Sequence, residues 1–259
     1  MSEFLNKVVL ITGGTSGIGL ATAKQFLLKG AKVVVSGRNP TTGDEALQQL
    51  KALGESVHFI QSDAGSAADS AALINQTVAL FGRLDIAFNN AGFGGDIAPM
   101  HEQSEENWHN VINANLTGVW LSMKNQIGQF LRQQTAATEQ QQYSIINMSS
   151  IWGLGASDFG VSPYMAAKHG VIGLTKAAAL ENAECGIRVN AVCPAWTLTE
   201  KKQVSLQGEA KQNVAALHPM NRLAEMDEVA YTVLWLASEG AGFITGQSIA
   251  IDGGISVKM

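Results

Sequence analysis

Residues 7–30, KVVLITGGTSGIGLATAKQFLLKG, leave this chain little choice of architecture. Residues 7–12 are a short apolar run rich in β-branched side chains, the pattern of a strand buried on both faces. The run empties into Gly13-Gly14-Thr15-Ser16-Gly17-Ile18-Gly19, and residues 20–30 then read as a helix stopped by Gly30. Strand, glycine loop and helix in that order let a backbone approach a pyrophosphate and set its charge on a helix N-terminus. The unit predicts an open α/β sheet with a dinucleotide site made by Gly13, Thr15, Ser16, Gly17, Ile18 and Gly19.

The same alternation continues to the end. Further strands are predicted at 31–36, 57–60, 84–88, 143–147, 187–192 and 247–251, and helices at 40–53, 67–81, 105–133, 164–184 and 226–238. Neither a linker-like break nor a repeat interrupts them. The expectation is a single domain over 1–259, a Rossmann-type doubly wound parallel sheet of about seven strands. Residues 195–218 have mixed charge and a weak helical pattern, and read as a flap over a site. The Gln-rich stretch 133–142 reads as a surface loop of no evident function.

In open α/β sheets ligands bind at the carboxyl ends of the strands, so the chemistry is expected in those turns. The second strand ends at Gly37-Arg38-Asn39, with no acid to accept from a ribose 2′-hydroxyl. Arg38 is suited instead to a 2′-phosphate, which favours NADP while leaving NAD possible. Asp63 either accepts from an adenine amino group or caps the next helix. Asn90, Ala91 and Gly92 give small residues and an amide that let a cofactor lie close and tie the loop to its neighbours. Asn115 sits within an apolar helical face; it is either a structural amide or one that bends the helix and holds a water.

The reaction centre is expected in residues 147–170, which hold Ser150, Tyr164 and Lys168. Tyr164 and Lys168 share a helix face one turn apart, with Ser162 expected as N-cap and Pro163 as the first helical residue. An ammonium beside a phenol favours the phenolate, which makes Tyr164 a candidate general acid/base. Phe93, Ile151, Trp152, Leu154, Phe159, Trp196 and Leu198 flank these motifs and predict an apolar pocket for a hydrophobic substrate.

A net charge of −5 argues against a nucleic-acid partner, and the absence of any 18-residue apolar run or signal-like start argues for a cytoplasmic protein without a membrane partner. Cys185 and Cys193 fit no metal spacing, so no metal is expected. Only 15% of residues are charged, and the helices at 105–133 and 164–184 have broad apolar faces that include Trp120. Both features point to a homo-oligomer.

Over nearly its whole length the chain resembles the classical short-chain dehydrogenases/reductases. The matching pieces are Thr12-Gly13-x-x-x-Gly17-x-Gly19, Asp63, Asn89-Asn90-Ala91-Gly92, Asn115, Ser150, Tyr164-x-x-x-Lys168, Arg188-Val189-Asn190, Pro194, Thr199 and Asp252-Gly253-Gly254. The resemblance implies a nicotinamide cofactor, a catalytic set of Asn115, Ser150, Tyr164 and Lys168, and cofactor contacts that also include Tyr164, Lys168, Pro194, Thr197 and Thr199. It implies hydride transfer between the nicotinamide and a ketone or secondary alcohol, as in an NADPH-dependent carbonyl reductase, and a tetramer or dimer. Tyr164 would pass the proton, Lys168 would lower its pKa, Ser150 would hold the carbonyl oxygen and Asn115 a water. Ala195 stands where the family usually has Gly, Ser16 where some NADP-preferring members are basic, and Gly37 where NAD-preferring members usually carry Asp. A non-redox epimerase or dehydratase and a silent NADP-binding regulator are the alternatives; the complete four-residue set argues against the regulator.

Overall fold

Strands β1 (Val8–Thr12), β2 (Lys32–Gly37), β3 (Val57–Gln61), β4 (Ile86–Asn89), β5 (Tyr143–Met148), β6 (Ile187–Pro194) and β7 (Ser248–Ile251) are joined by helices α1 (Gly17–Leu28), α2 (Pro40–Lys51), α3 (Ala67–Phe81), α4 (Glu105–Ile112), α5 (Gly118–Ala136), α6 (Ser162–Asn182), α7 (Glu200–Ser205), α8 (Gly208–Ala216) and α9 (Met226–Ala237). The structure is a computed structural model that describes residues 3–258, the side chains at 201 and 202 excepted. The strands form one parallel sheet in the order β3-β2-β1-β4-β5-β6-β7. The order reverses beside β1: the chain steps out to β3, then returns to lay β4 on the other side. That reversal opens a crevice above the carboxyl ends of β1 and β4.

Strand residues alternate between the two faces of the sheet, and the central strands β1 and β2 bury both, which is why they read as apolar runs. Val9, Ile11, Val33, Val35 and Phe88 pack against Phe26 of α1, Leu50 of α2 and Val233 of α9. Val8, Leu10, Val34, Ala87 and Ile145 pack against Leu73 of α3, Met123 and Phe130 of α5 and Val171 of α6. Shifting any one strand by a residue would exchange these two sets, so both layers of helices fix the register.

Four expectations change in detail. The helix predicted over 105–133 is interrupted by a π turn at Asn113–Thr117. There Asn115 Nδ2 donates to the Val111 carbonyl at 3.0 Å, competing for an acceptor that the helix ladder uses. The sixth strand continues through Cys193 and Pro194, which pair with Ala250 and Ile251. Proline is tolerated there as the last residue of its strand. Ser162 is already helical and Val161 holds the N-cap position, so Pro163 stands one residue further in than expected. The weakly patterned stretch 197–218 contains α7 and α8.

Candidate active site

The glycine loop makes a cradle that no side chain fills. Gly13 and Gly17 have φ of +63° and +54°, a region that favours glycine. A Cβ on Gly19 would overlap the Gly13 carbonyl oxygen and lie 2.6 Å from Asn90 Nδ2. Ser16 precedes α1 without a side-chain cap, so it supplies no internal acceptor to the helix's first N–H groups. The facing loop is tied down by Asn90, whose Nδ2 donates to the carbonyls of Thr12 and Gly13 at 3.1 and 2.9 Å. The Thr12 hydroxyl accepts from the N–H groups of Asn90 and Ala91.

A crevice of about 290 Å³ follows, lined by Gly13, Thr15, Ser16, Ile18, Arg38, Asp63, Asn90, Ala91, Gly92 and Thr199, all of them predicted. Gly17 and Gly19 do not line this crevice; they set the path of the chain. Asp63 does not cap α3: Ser66 does, accepting from Asp69 N–H at 3.2 Å. One Asp63 oxygen accepts from Gly65 N–H at 2.9 Å. Arg38 is exposed, and among the described residues no acidic group pairs with it. Gly37 is overlaid by Thr15, whose Cγ2 and Oγ1 lie 3.0 and 3.1 Å from where a Cβ would stand. Sequence reasoning missed Ser62, whose buried hydroxyl lines the crevice without a hydrogen-bond partner. A cradle closed to Cβ atoms, an uncapped helix start and an unpaired guanidinium fit the phosphates of a dinucleotide.

The crevice meets a second cavity of about 440 Å³ across Ile18, Asn90, Gly92 and Phe93. Ser150, Tyr164, Lys168 and Asn115 all line it, together with Pro194 and Thr197. β5 delivers Ser150 in an extended conformation, and a short 3₁₀ turn at Ile151–Gly153 follows at once. Its hydroxyl accepts from Trp152 N–H at 3.2 Å and is hydrogen-bonded to Tyr164. Gly153, which sequence reasoning passed over, lets this turn lie on α6: a Cβ there would stand 2.5 Å from Ser149 Oγ and 2.7 Å from the Lys168 carbonyl.

Lys168 is almost fully buried and donates from Nζ to the Met148 carbonyl at 2.8 Å. Nζ lies 5.2 Å from the centre of the Tyr164 ring. Burial pulls the ammonium down to about 8, close to neutrality. Tyr164 does not have the depressed pKa expected from the lysine. Burial pushes it up to about 12, with the Ser150 hydrogen bond pulling the other way. The phenol is therefore held protonated and hydrogen-bonded in the protein alone. Cys193, fully buried beneath the pair, is pushed up to about 11 by burial and supplies no counter-charge at neutral pH.

Asn115 lies behind this pair. Its Nδ2 is used twice, on Phe93 and Val111 carbonyls at 2.8 and 3.0 Å. Its Oδ1 is buried without a partner and would overlap a Cβ added to Gly92, and Lys168 Nζ lies 3.7 Å from where that Cβ would stand. A bare acceptor so placed fits a water or hydroxyl donor between the asparagine and the ammonium.

Of the apolar residues expected around the reaction centre, Phe93, Ile151, Trp152, Phe159 and Trp196 line the cavity. Leu154 and Leu198 do not. Ile97 and Val161 do, and they lie in aperiodic loops where no sequence pattern marks them.

The family model described as "Enoyl-(Acyl carrier protein) reductase" matches residues 13–256. A protein named short chain dehydrogenase/reductase astE, from Aspergillus oryzae, is 40% identical over 97% of this chain and 95% of its own length. A cyclohexanol dehydrogenase from an Acinetobacter species is 38% identical over 99% of this chain and 98% of its own. Among solved structures, levodione reductase superposes with a TM-score of 0.89 at 31% identity, covering 99% of this chain and all of that one.

Proposed function

The chain belongs to the short-chain dehydrogenase/reductase family, and we propose that it interconverts a ketone and a secondary alcohol with NADP(H) in preference to NAD(H). One observation carries the reading. Ser150, Tyr164, Lys168 and the bare Asn115 Oδ1 meet in one cavity, at the inner end of a glycine-cradled crevice. When bound, the cofactor supplies a hydride to the carbonyl carbon or accepts one from the alcohol carbon. Gly13, Gly17 and Gly19 would hold its phosphates against α1, and Arg38 would pair with a 2′-phosphate.

The remaining steps belong to the protein. Ser150 and Tyr164 donate hydrogen bonds to the carbonyl oxygen, and these strengthen as negative charge builds there. In reduction Tyr164 gives its proton to that oxygen; in oxidation it takes the alcohol proton. Lys168 holds positive charge near Tyr164, which favours the phenolate left after proton donation. A water on Asn115 Oδ1 would connect Lys168 to solvent and return the proton. Residues 195–218 would serve as a flap over this site; Ala195, Trp196 and Thr197 at their start line the cavity.

The apolar cavity favours a hydrophobic substrate, and the alicyclic compounds named in the cyclohexanol dehydrogenase and levodione reductase relatives support that choice. A panel of ketones and secondary alcohols, followed by nicotinamide absorbance with both cofactors, tests the reading. Turnover with net cofactor oxidation or reduction supports it. Product formation without net redox change would favour an epimerase or dehydratase instead.

A further inference from the structure

The outer part of the cavity is built from rings. Trp152, Phe159 and Trp196 stand within 5.8–6.1 Å of one another, centre to centre. Trp152 also meets Tyr164 edge-on at 6.1 Å, so the ring cluster adjoins the proton donor. Each ring comes from a different segment: the turn after β5, the loop before α6 and the turn after β6. Rings packed against one another present a broad, stiff wall, a poor match for a flexible chain and a good one for a compact hydrocarbon ring.

Charge at the cavity is one-sided. Among the described lining residues Lys168 alone is charged, and its Nζ is engaged by the Met148 carbonyl. No lining arginine or second lysine is available to a substrate carboxylate or phosphate. Residues 93–110 and 149–161 contain Asp96, Glu102, Glu105, Glu106 and Asp158, with no lysine or arginine. All five acids are exposed, and His101 lies 3.4 Å from Glu102. The two segments meet: Ala98 N–H donates to the Gly160 carbonyl at 3.0 Å and Gln103 Nε2 donates to the same carbonyl at 2.8 Å, but none of the five acids lines the cavity.

We propose that this cavity takes an uncharged ketone or secondary alcohol carried on a small hydrocarbon ring. Trp152, Phe159 and Trp196 read the ring, and a described lining that offers no free cation holds anionic substrates poorly. The inference rests on the oxidoreductase reading and narrows its substrate.

The test compares kcat/KM, with NADPH and the intact protein, for cyclohexanone, 2-hexanone, 4-oxocyclohexanecarboxylate, its methyl ester and acetoacetyl-coenzyme A. The ring ketone should exceed the open-chain ketone by about tenfold, a typical discrimination for hydrocarbon shape in an apolar pocket. The ester should exceed its carboxylate by about tenfold, because the apolar lining strips water from a carboxylate without pairing it. Trp196→Leu should shrink the ring-to-chain ratio. Ratios within one protein remain interpretable if a variant folds less well. Equal rates for ring and chain, or a preference for acetoacetyl-coenzyme A, would overturn the inference and leave the oxidoreductase reading standing. No turnover of any compound, or of its alcohol, with either cofactor would overturn that reading itself.

Discussion

Replacing Lys168 by methionine should leave the cofactor-free protein at least as stable at pH 7 and remove its activity. Lys168 is 1% exposed, and burial brings its pKa from 10.5 to about 8. That difference corresponds to ~3 kcal/mol of unfavourable charge burial at neutral pH. Methionine fills a similar volume without charge, but leaves the Met148 carbonyl without its donor, which costs about 1–3 kcal/mol. The net change is about 0–2 kcal/mol in favour of the variant.

The sign with pH follows from which state holds the proton. From pH 8 to 10.5 the unfolded chain keeps a lysine proton that the fold has released, so the penalty fades and stability rises by ~1.4 kcal/mol per pH unit. Cys193 and Tyr164 act in the opposite direction. Their pKa values are raised from 9.0 to about 11 and from 10.0 to about 12, so the stability they contribute is present at lower pH and is lost above pH 9 and pH 10. The wild type should gain stability from pH 8 to 9, level off, then fall above pH 10. Lys168→Met should lack the gain and decline from about pH 9. Urea unfolding at pH 7, 8, 9 and 10, followed by tryptophan fluorescence, measures both curves. A variant more than ~1 kcal/mol less stable at pH 7, with a flat wild-type curve from pH 8 to 9, would refute the reasoning.

Three further outcomes are expected. Gly19→Ala should weaken NADPH binding at least about tenfold in a fluorescence titration, because the Gly13 carbonyl must move from under the new methyl; unchanged affinity would show that the cradle is not the phosphate site. Arg38→Gln should raise KM for NADPH about tenfold or more and leave NADH nearly unchanged, whereas an equal effect on both would remove the 2′-phosphate role. Ser66→Ala should cost about 1 kcal/mol in urea unfolding by stripping the cap of α3, with cofactor affinity retained; no loss would mean that Asp69 and Asp63 alone hold the turn.

The sheet was legible because its central strands are written as β-branched runs, and most strands end in a turn rich in glycine or amide residues. The crevice was legible for the same reason, since its residues are those turns. What escaped depends on contacts between distant segments. The apolar period from Trp108 to Ile127 is continuous, and only the Phe93 and Val111 carbonyls explain why the helix widens at Asn115. Residues 208–216 are helical yet bury no side chain, so no apolar stripe was there to read. Ser66-x-x-Asp69 carried a capping signal in plain view, which would have freed Asp63 from that role. The raised pKa of Tyr164 in the cofactor-free protein was not legible, because a neighbouring lysine is visible in sequence and desolvation is not.

The account stands most directly on Tyr164. Stopped-flow measurement of hydride transfer in Tyr164→Phe, with NADPH affinity measured in parallel, isolates the proton donor from the scaffold. The expected result is a rate at least about a hundredfold lower on every ketone that supports wild-type turnover, with cofactor affinity within about threefold. Wild-type rates in the variant would contradict the assignment of Tyr164 as the acid/base and, with it, the reading of the whole cavity.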